Sequence, residues 1–420
     1  MFLTMKIAIF VSQFPQFSQT FVIHHIAFLA IQGHQVDVYA NYTEKQMTNK
    51  EIKDFNLLGK VKYYPYKPRN PFLRFLKGVI LVAKNFFKDP NLILAALNFI
   101  KHGKKAYSLE LLFSIIPFLR VHPQYDIIHC HFGPNGWRAA WLKSVNAIQG
   151  KLVVTFHGYD ASRTIKNEGD NTYNLLWKTG DLFLPVSDYI RQILLDLGCP
   201  SEKTKVHHMG VDIYEFSPQP NNQNDRDAVQ VISICRLVEK KGIQFAVEAL
   251  ALYKRVYPED AICYQIVGDG PLIADLKAKV QEYQLESTIN FLGVRTHSQV
   301  FQLLQASDIL LAPSITAADG DQEGIPVVIM EAMTMGIPVI ASCHSGIPEL
   351  VEDQKTGFLV PEKDVDALYR QLNILIHDEN LRYTMGVNGR QKIVEDFNQS
   401  KLNSRLAELY QNLVAGTLFQ

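Results

Sequence analysis

Two glutamates stand eight positions apart in the segment DGDQEGIPVVIMEAM, whose second half has the apolar pattern of a helix. Glu323 lies at the expected start of this helix, and Glu331 lies inside it on an otherwise apolar face. Gly324 permits close approach of the backbone and Pro326 suits the first helical turn, which leaves the amides of Gly324 and Ile325 free. A helix N-terminus favours an anion, so two carboxylates at this position require a specific role.

Two cations follow another predicted strand, in the segment ICRLVEKKG. Arg236 stands at the strand end and Lys241 stands before Gly242. Together with the helix N-terminus they predict a site for a diphosphate, because each cation about 4 Å from a phosphate oxygen contributes a few kcal/mol at an effective dielectric near 20. The alternative is that both are solvated loop charges, which is common for such residues.

Four other residues stand at positions where predicted strands end. His157 and Asp160 lie in TFHGYD, Gly268 lies in VGDG, and Arg295 follows FLGV. Each has an ordinary alternative. His157 could be a satisfied core or loop histidine, Asp160 could cap the helix that follows, Gly268 could serve turn geometry alone, and Arg295 could be a surface charge.

Short apolar runs that resemble buried parallel strands alternate with helical stretches along the whole chain, which predicts doubly wound α/β sheets. The polar segment FSPQPNNQNDRDA, residues 216–228, has the composition of a linker. We therefore expect one Rossmann-like domain over residues 1–215 and another over 229–395, facing each other across a cleft that holds the ligand. A last helix, residues 396–420, is expected to pack back on the first domain.

The bulk composition excludes some classes of function. With 42 basic and 42 acidic residues, the chain has no global attraction to nucleic acid. Five scattered cysteines without a CxxC pair are typical of reduced, buried thiols. The first apolar run is too short for a secretory leader, no run approaches a membrane span, and no GxGxxG follows the first strand. We expect a cytoplasmic protein that uses no nicotinamide cofactor.

Several motifs in combination resemble the retaining family 4 glycosyltransferases, which have the GT-B fold. In the second half of the chain these are RLVEKKG, VGDGP, EGIPVVIME and GIPELVEDQKTGFLVPEKD. In the first half, FPQFSQTFVIHHI and HFGPNG resemble the branch that builds exopolysaccharide, colanic-acid-like or capsular repeat units.

The resemblance implies a role for both glutamates. Glu323 corresponds to the residue that reaches hydroxyls of the donor sugar, and Glu331 to the one that holds the ribose hydroxyls of the nucleotide. The diphosphate is then left to Arg236, Lys241 and the backbone amides after Glu323. The resemblance also implies that His157 contacts the donor sugar and the reacting centre, with Gly268 close to the donor and Arg295 near the base.

The implied reaction transfers a hexose from a UDP- or GDP-sugar, with retention, to a hydroxyl of a glycan. The acceptor is expected to be polyprenyl-diphosphate-linked, with a soluble glycan as the alternative. No side chain is an obvious covalent nucleophile, so front-face substitution is implied. Two other hypotheses stay open: a nucleotide-sugar epimerase of the same architecture, and a non-catalytic module that binds sugar nucleotides.

Some positions depart from the family pattern. Ser18, Gln19 and Thr20 replace a glycine pair, and Met209 stands where an asparagine is common, so neither stretch is assigned a function. Asp319 and Asp321 imitate a DxD metal motif. We nevertheless expect no metal and no cofactor, because cations and a helix N-terminus already fill that role.

A strongly basic segment runs from Lys60 to Lys105, with eleven lysines and arginines against one acid, Asp89. Apolar residues alternate with these charges and predict an amphipathic helix that binds an anionic membrane surface. The alternative is an ordinary domain helix with a solvated basic side. Binding of this kind would place the protein peripherally on the inner face of the plasma membrane, near a lipid-linked acceptor.

Overall fold

The computed structural model describes residues 4–16, 19–43, 50–217 and 228–418. The predicted linker lies mostly outside these ranges, and so does Ser18. None of the helices in the described ranges is long and apolar enough to cross a bilayer.

The first domain is built on a parallel sheet whose strands, apart from one at the edge, are short apolar runs with most side chains buried. Burial on both faces is what covering helices impose on such strands. The spatial order is β3-β2-β1-β4-β5-β6. The strands are β1 (Lys6–Phe10), β2 (Gln35–Ala40), β3 (Val61–Tyr63), β4 (Gln124–His131), β5 (Gln149–Phe156) and β6 (Leu182–Pro185).

The second domain repeats this topology in a sheet of order β12-β11-β10-β7-β8-β9. Its strands are β7 (Val229–Ile234), β8 (Ile262–Val267), β9 (Ile289–Gly293), β10 (Ile309–Ala312), β11 (Val339–Ser342) and β12 (Gly357–Val360). In both sheets the strand order reverses beside the first strand, which creates a crevice at the carboxyl ends where ligands bind in doubly wound folds. The prediction of two such α/β domains is confirmed.

Helices connect the strands. Those of the first domain are α1 (Thr20–Ile31), α2 (Lys50–Asp54), α3 (Pro71–Asn85), α4 (Pro90–Ala96), α5 (Phe99–Tyr107), α6 (Glu110–Ile115), α7 (Gly133–Ser144), α8 (Arg163–Glu168), α9 (Asn174–Thr179) and α10 (Asp188–Asp196). Those that follow are α11 (Ile243–Val256), α12 (Ile273–Glu282), α13 (His297–Gln305), α14 (Val327–Thr334), α15 (Ile347–Leu350), α16 (Val365–His377), α17 (Glu379–Asp396) and α18 (Gln399–Ala415).

The two domains share buried surface. One continuous cluster of buried apolar side chains includes Phe156 and Val186 of the first domain together with Ile325 and Ile347 of the second. Helix α18, although it ends the chain, packs its buried Tyr410 into a core of the first sheet. The exact domain boundaries stay a prediction, because residues 218–227 are not described.

Two local predictions are wrong. The basic segment is not one helix, because strand β3 and helices α3, α4 and α5 divide it, with a break in helical geometry at Gly103. Pro326 occupies the N-cap of α14 and not its first turn, so Glu323 lies three residues before that cap, in the preceding loop.

Candidate active site

An ion pair stands at the carboxyl end of β7. The Nζ of Lys241 lies 2.9 Å from Oε1 of Glu323, and the neighbouring Lys240 lies 3.9 Å from the same oxygen. Burial by itself raises the pKa of Glu323, but the two lysines outweigh it and lower that pKa to about 2. Burial likewise opposes the charge of Lys241, yet Glu323 raises its pKa above the usual value. Both groups are therefore charged at neutral pH.

The backbone around Glu323 is also fixed. Its amide donates to Nε2 of His344 over 3.2 Å, and its carbonyl accepts from the hydroxyl of Ser345 over 2.6 Å. His344 is in turn held through Nδ1, which lies 2.6 Å from a carboxylate oxygen of Glu362. Among the described residues, the next two amides, those of Gly324 and Ile325, have no hydrogen-bond acceptor. They stay available to an anion.

The two domains meet backbone to backbone beside this pair. A Cβ built on Gly324 would lie 1.9 Å from the carbonyl oxygen of His157, and one built on Gly158 would lie 2.8 Å from the amide nitrogen of Gly324. Gly158 also has φ +137, a conformation that side chains rarely adopt. Glycines at both positions therefore let His157 of the first domain reach the Glu323 loop of the second.

Asp160 organises this approach. Its Oδ1 accepts from the amides of His157 and Gly158 over 3.0 and 2.9 Å, and its Oδ2 accepts from Gly133 over 2.9 Å. Burial raises the pKa of Asp160 to about 6, although these hydrogen bonds act in the opposite direction. The side chain does not cap α8, whose N-cap is Ser162. Its predicted contact with substrate stays a prediction, and the observed role is to hold the His157 loop.

The His157 ring is enclosed by neighbouring rings. Its centroid lies 4.5 Å from that of Phe132 and 4.8 Å from that of Phe21. Burial lowers the pKa of His157 to about 3, so the imidazole is neutral at physiological pH. A neutral ring offers one donor and one acceptor.

Glu331 lies apart from the Lys241 pair, on α14. It is half-buried, and it forms neither a hydrogen bond nor an ion pair with any side chain in the described ranges. Burial, followed by the nearby carboxylate of Glu215, raises its pKa to about 7, while His24 lowers it. A carboxylate that is shielded from water and has no bonded partner is suited to accept hydrogen bonds from a ligand.

The remaining predicted residues lie at the ends of β7, β8 and β9. Arg236 and Arg295 are exposed and form no ion pair within the described ranges. Gly268 has φ +129, and a Cβ there would lie 1.8 Å from the carbonyl oxygen of Cys235. This glycine is therefore required for the close packing of two strand-end loops, whether or not it also approaches a donor.

The two acids of the DxD-like motif are both paired with cations. Asp319 lies 3.0 Å from Arg163 of the first domain, and Asp321 lies 3.0 Å from Lys240. The Nζ of Lys240 also donates to the carbonyl oxygen of Gln322 over 3.1 Å. These acids brace the loop that carries Glu323.

Comparison with known proteins decides the family. A family model described as glycosyltransferase family 4 matches residues 18–215, and one described as glycosyl transferases group 1 matches residues 215–392. The putative colanic acid biosynthesis glycosyltransferase WcaL of Escherichia coli strain K12 is 36% identical, covering 97% of this chain and 100% of WcaL. The chain belongs to the family 4 glycosyltransferases.

Two further proteins are similar to this family 4 glycosyltransferase. The amylovoran biosynthesis glycosyltransferase AmsK of Erwinia amylovora is 34% identical, covering 97% of this chain and 100% of AmsK. HepE of Anabaena, solved with UDP and glucose, has a TM-score of 0.70 at 20% identity and covers 97% of this chain and 100% of its own. The expected GT-B fold and the resemblance to exopolysaccharide enzymes are confirmed.

Several residues that build the site of this glycosyltransferase were not predicted from the sequence. Lys240 stands beside Lys241 in the same motif but was not singled out, and His344 and Glu362 carry no motif of their own. Met209 was assigned no function, yet its sulfur lies 3.1 Å from Nδ1 of His157. Two further residues, His129 and His131 in IHCHF, did carry a sequence signal, because they are two apart on one strand and so share a face.

Proposed function

We propose that this glycosyltransferase transfers a hexose, with retention of anomeric configuration, from a UDP- or GDP-sugar to a hydroxyl of a polyprenyl-diphosphate-linked glycan in exopolysaccharide biosynthesis. The observation that carries the proposal is the close approach of the His157 backbone in the first domain to Gly324 in the second, directly after the Glu323 that pairs with Lys241. This approach places three kinds of group close together: an imidazole that can bind sugar hydroxyls, the Lys241 cation that can bind phosphate, and the free amides of Gly324 and Ile325.

Each group has a distinct task in this proposal. Lys241, Arg236 and the amides of Gly324 and Ile325 receive the diphosphate and stabilise the charge that grows on it as the glycosidic bond breaks. When the diphosphate takes over Lys241, the carboxylate of Glu323 is released to accept hydrogen bonds from hydroxyls of the donor sugar.

Glu331 holds the ribose hydroxyls in the same proposal. Its half-buried carboxylate has no bonded partner among the described residues, so a ribose would supply the missing donors. Arg295 and Gly268 stay proposed contacts of the base and the donor.

The geometry favours a reaction without a covalent side-chain nucleophile. Asp160 accepts three backbone hydrogen bonds, and Glu323, once the diphosphate has taken over Lys241, accepts hydrogen bonds from hydroxyls of the donor sugar. Two carboxylates at the cleft are thus already engaged. Front-face substitution, in which the departing phosphate takes the acceptor proton, needs only the positioning and charge that these residues supply.

Product analysis tests the proposal. The purified protein is offered a panel of nucleotide sugars together with polyprenyl-diphosphate glycans and soluble glycans. We expect one donor to give a new glycoside whose anomeric configuration, read by NMR, equals that of the donor. A nucleotide with free or epimerised sugar would support the epimerase, and binding without turnover would support the binding module. An inverted linkage would contradict retention.

We also propose that helix α3 docks the enzyme on the anionic inner surface of the plasma membrane. Its outward face is apolar: Phe72 is 67% exposed and Phe75 is 61% exposed, and Phe87 just beyond the helix is 86% exposed. The buried positions of α3 are instead Gly78 and Asn85. A helix that turns its aromatic side outward has the orientation of an interfacial anchor.

Basic side chains flank this apolar face. Lys84, Lys88, Lys101 and Lys104 are exposed. Arg74 has a different role, because its guanidinium donates to the carbonyl oxygens of Pro68 and Arg69 at the start of α3. Exposed lysines beside exposed aromatic rings complement an anionic lipid surface.

A further inference from the structure

A continuous chain of hydrogen-bonded side chains lies behind His157 in the first domain. Nε2 of His157 is 3.1 Å from Nδ1 of His131, and Nε2 of His131 is 3.2 Å from Nδ1 of His25. Nε2 of His25 is 3.2 Å from the hydroxyl of Tyr410, which reaches it from the C-terminal helix α18.

The chain continues beyond Tyr410. The same hydroxyl bonds Nδ1 of His129, whose Nε2 lies 2.9 Å from the hydroxyl of Thr155. His25, His129, His131 and Tyr410 are all buried. Elements far apart in the sequence, namely α1, β4, β5 and α18, therefore contribute to a single line of bonds that ends at His157.

The contact at the His157 end decides which atom is the donor and which the acceptor in every hydrogen bond of this chain. Nδ1 of His157 lies 3.1 Å from the sulfur of Met209, and a thioether can only accept. Nδ1 of His157 must then carry the proton, which makes its Nε2 an acceptor for Nδ1–H of His131. By the same rule His131 accepts from His25, and His25 accepts from the Tyr410 hydroxyl.

The remaining groups complete the pattern without conflict. The oxygen of Tyr410 accepts from Nδ1–H of His129, and Nε2 of His129 accepts from the Thr155 hydroxyl. Each imidazole donates once and accepts once, which requires all four rings to be neutral. Burial lowers the pKa of His25, His129 and His131 well below the ordinary histidine value, in agreement with this state.

We propose that Tyr410 is a positioning residue for the transfer reaction, acting through His25 and His131 to hold His157 in the tautomer with its proton on Nδ1. The tautomer decides what His157 offers to a substrate. Because a thioether is a weak acceptor, an oxygen of a sugar can replace Met209 and accept the Nδ1–H bond. The reverse tautomer would present a lone pair at that place.

The inference rests on the proposed role of His157 in transfer, but the tautomer itself can be measured without substrate. A competing use of the cluster is a metal site, because ligand atoms of His25, His129 and His131 lie within 4.8 Å of one another. A bound metal would occupy lone pairs that the bond line assigns to hydrogen bonds. The two arrangements exclude each other.

The test records nitrogen-15 NMR of the full-length protein with labelled histidine, with the His157 signals assigned by their loss in His157→Gln. We expect the wild type to carry the proton on Nδ1. In Tyr410→Phe, where His25 loses its donor, we expect the opposite tautomer to become populated and kcat to fall about two- to tenfold with little change in KM, as for one lost hydrogen bond.

Tyr253→Phe is the matched control, because it also removes a buried phenol hydroxyl that is hydrogen-bonded, in that case to Asp260 in the second domain. It should leave the His157 signals and kcat unchanged. Met209→Leu removes the acceptor at the other end and keeps an apolar side chain of similar volume against the core, and it should also populate the opposite tautomer.

Three results would overturn the inference: a wild-type proton on Nε2, an unchanged His157 tautomer in both Tyr410→Phe and Met209→Leu, or stoichiometric zinc in the protein as isolated. Failure of the proposed function would be recognised separately. In that case no nucleotide sugar would be turned over, while the His157 tautomer would still respond to the two substitutions.

Discussion

His157 and Gly324 belong to different domains, yet a Cβ on Gly324 would lie 1.9 Å from the carbonyl oxygen of His157. The absence of a side chain at this one position allows the first domain to bring its histidine to the Glu323 loop. The contact joins two backbones, so no flexible side chain can yield to relieve a clash.

Gly324→Ala should therefore reduce transfer by about 100-fold, because a displacement near 1 Å at the reacting groups has an effect of that order. Binding of the nucleoside diphosphate should be reduced far less, since Lys241 and Glu331 both belong to the second domain. Steady-state kinetics and calorimetry measure the two effects. Gly389→Ala is the control, because the nearest atom to its Cβ would be a flexible methionine carbon at 3.4 Å. Near wild-type turnover in Gly324→Ala would show that the contact is dispensable.

The Lys241–Glu323 pair predicts opposite effects on nucleotide affinity. Lys241→Ala and Arg236→Ala should each weaken binding of the nucleoside diphosphate at least tenfold, because a cation close to a phosphate contributes roughly a few kcal/mol to the binding free energy. Glu323→Gln should strengthen this binding, since it frees Lys241 from its partner, and yet depress turnover of the intact donor. Calorimetry with UDP and GDP measures the first effect and initial rates measure the second.

An exposed lysine on α12, Lys277, provides the control for that experiment. Lys277→Ala removes the same charge away from the cleft and should leave nucleotide affinity unchanged. Equal losses of affinity in Lys241→Ala and Glu323→Gln would refute the division of roles.

The raised pKa of Glu331 predicts a pH dependence of donor binding. With a pKa of about 7, the group is largely protonated at pH 6 and largely ionised at pH 8. The ionised form accepts hydrogen bonds from ribose hydroxyls more strongly, so KM for the intact donor should fall as the pH rises through 7. The intact donor is the suitable probe, because its diphosphate has no terminal group that titrates in this range. In Glu331→Gln the dependence should vanish, and an unchanged pH profile in that variant would assign the titration to another group.

Transfer should survive a chelator. Asp319 and Asp321 already pair with Arg163 and Lys240, so a metal ion at this motif would have to displace both cations. Initial rates with and without EDTA should agree. A loss of activity that Mn²⁺ restores, and that Asp321→Asn abolishes, would identify the motif as a metal site.

The apolar face of α3 predicts salt-sensitive membrane binding. The enzyme should sediment with liposomes that contain anionic lipid at low salt and be released at high salt, since each basic residue near the surface contributes about 1 kcal/mol. Reversal of Lys84, Lys88, Lys101 and Lys104 to glutamate should abolish sedimentation, and Phe75→Ser with Phe87→Ser should weaken it.

An equal change of charge elsewhere is the control for sedimentation. Lys178, Lys277, Lys363 and Lys401 are exposed outside this face, and their reversal to glutamate should leave sedimentation intact. Turnover of a soluble acceptor should be spared in both sets. Sedimentation that does not depend on lipid charge or on salt concentration would favour a soluble acceptor over a lipid-linked one.

Much of the fold could be predicted because its signals are local. Apolar runs such as KIAIF and ICYQIV became β1 and β8, since strands covered on both faces need apolar residues throughout. The pairing of Lys241 with Glu323 could not be predicted in this way. The two residues are far apart in the sequence. The resemblance assigned them to different parts of the donor and did not indicate that they form an ion pair with each other.

The basic segment shows the same limit in another form. Its composition indicated a helix with cations beside apolar residues, and α3 has this character. The outward orientation of Phe72 and Phe75 was not in the pattern, because periodicity tells which residues share a face and not which face meets the core.

The sequence by itself determined the α/β alternation and the family, and it predicted which residue types are expected to meet the donor, because strand patterning and motifs are encoded within short stretches of chain. Only the tertiary structure decided how those groups are paired and oriented. His157 is hydrogen-bonded to His131 and, through it, linked to His25 and Tyr410. Its backbone contacts the second domain at Gly324. Such contacts depend on how sheets and helices pack, because burial brings together side chains whose separation along the chain carries no periodic signal.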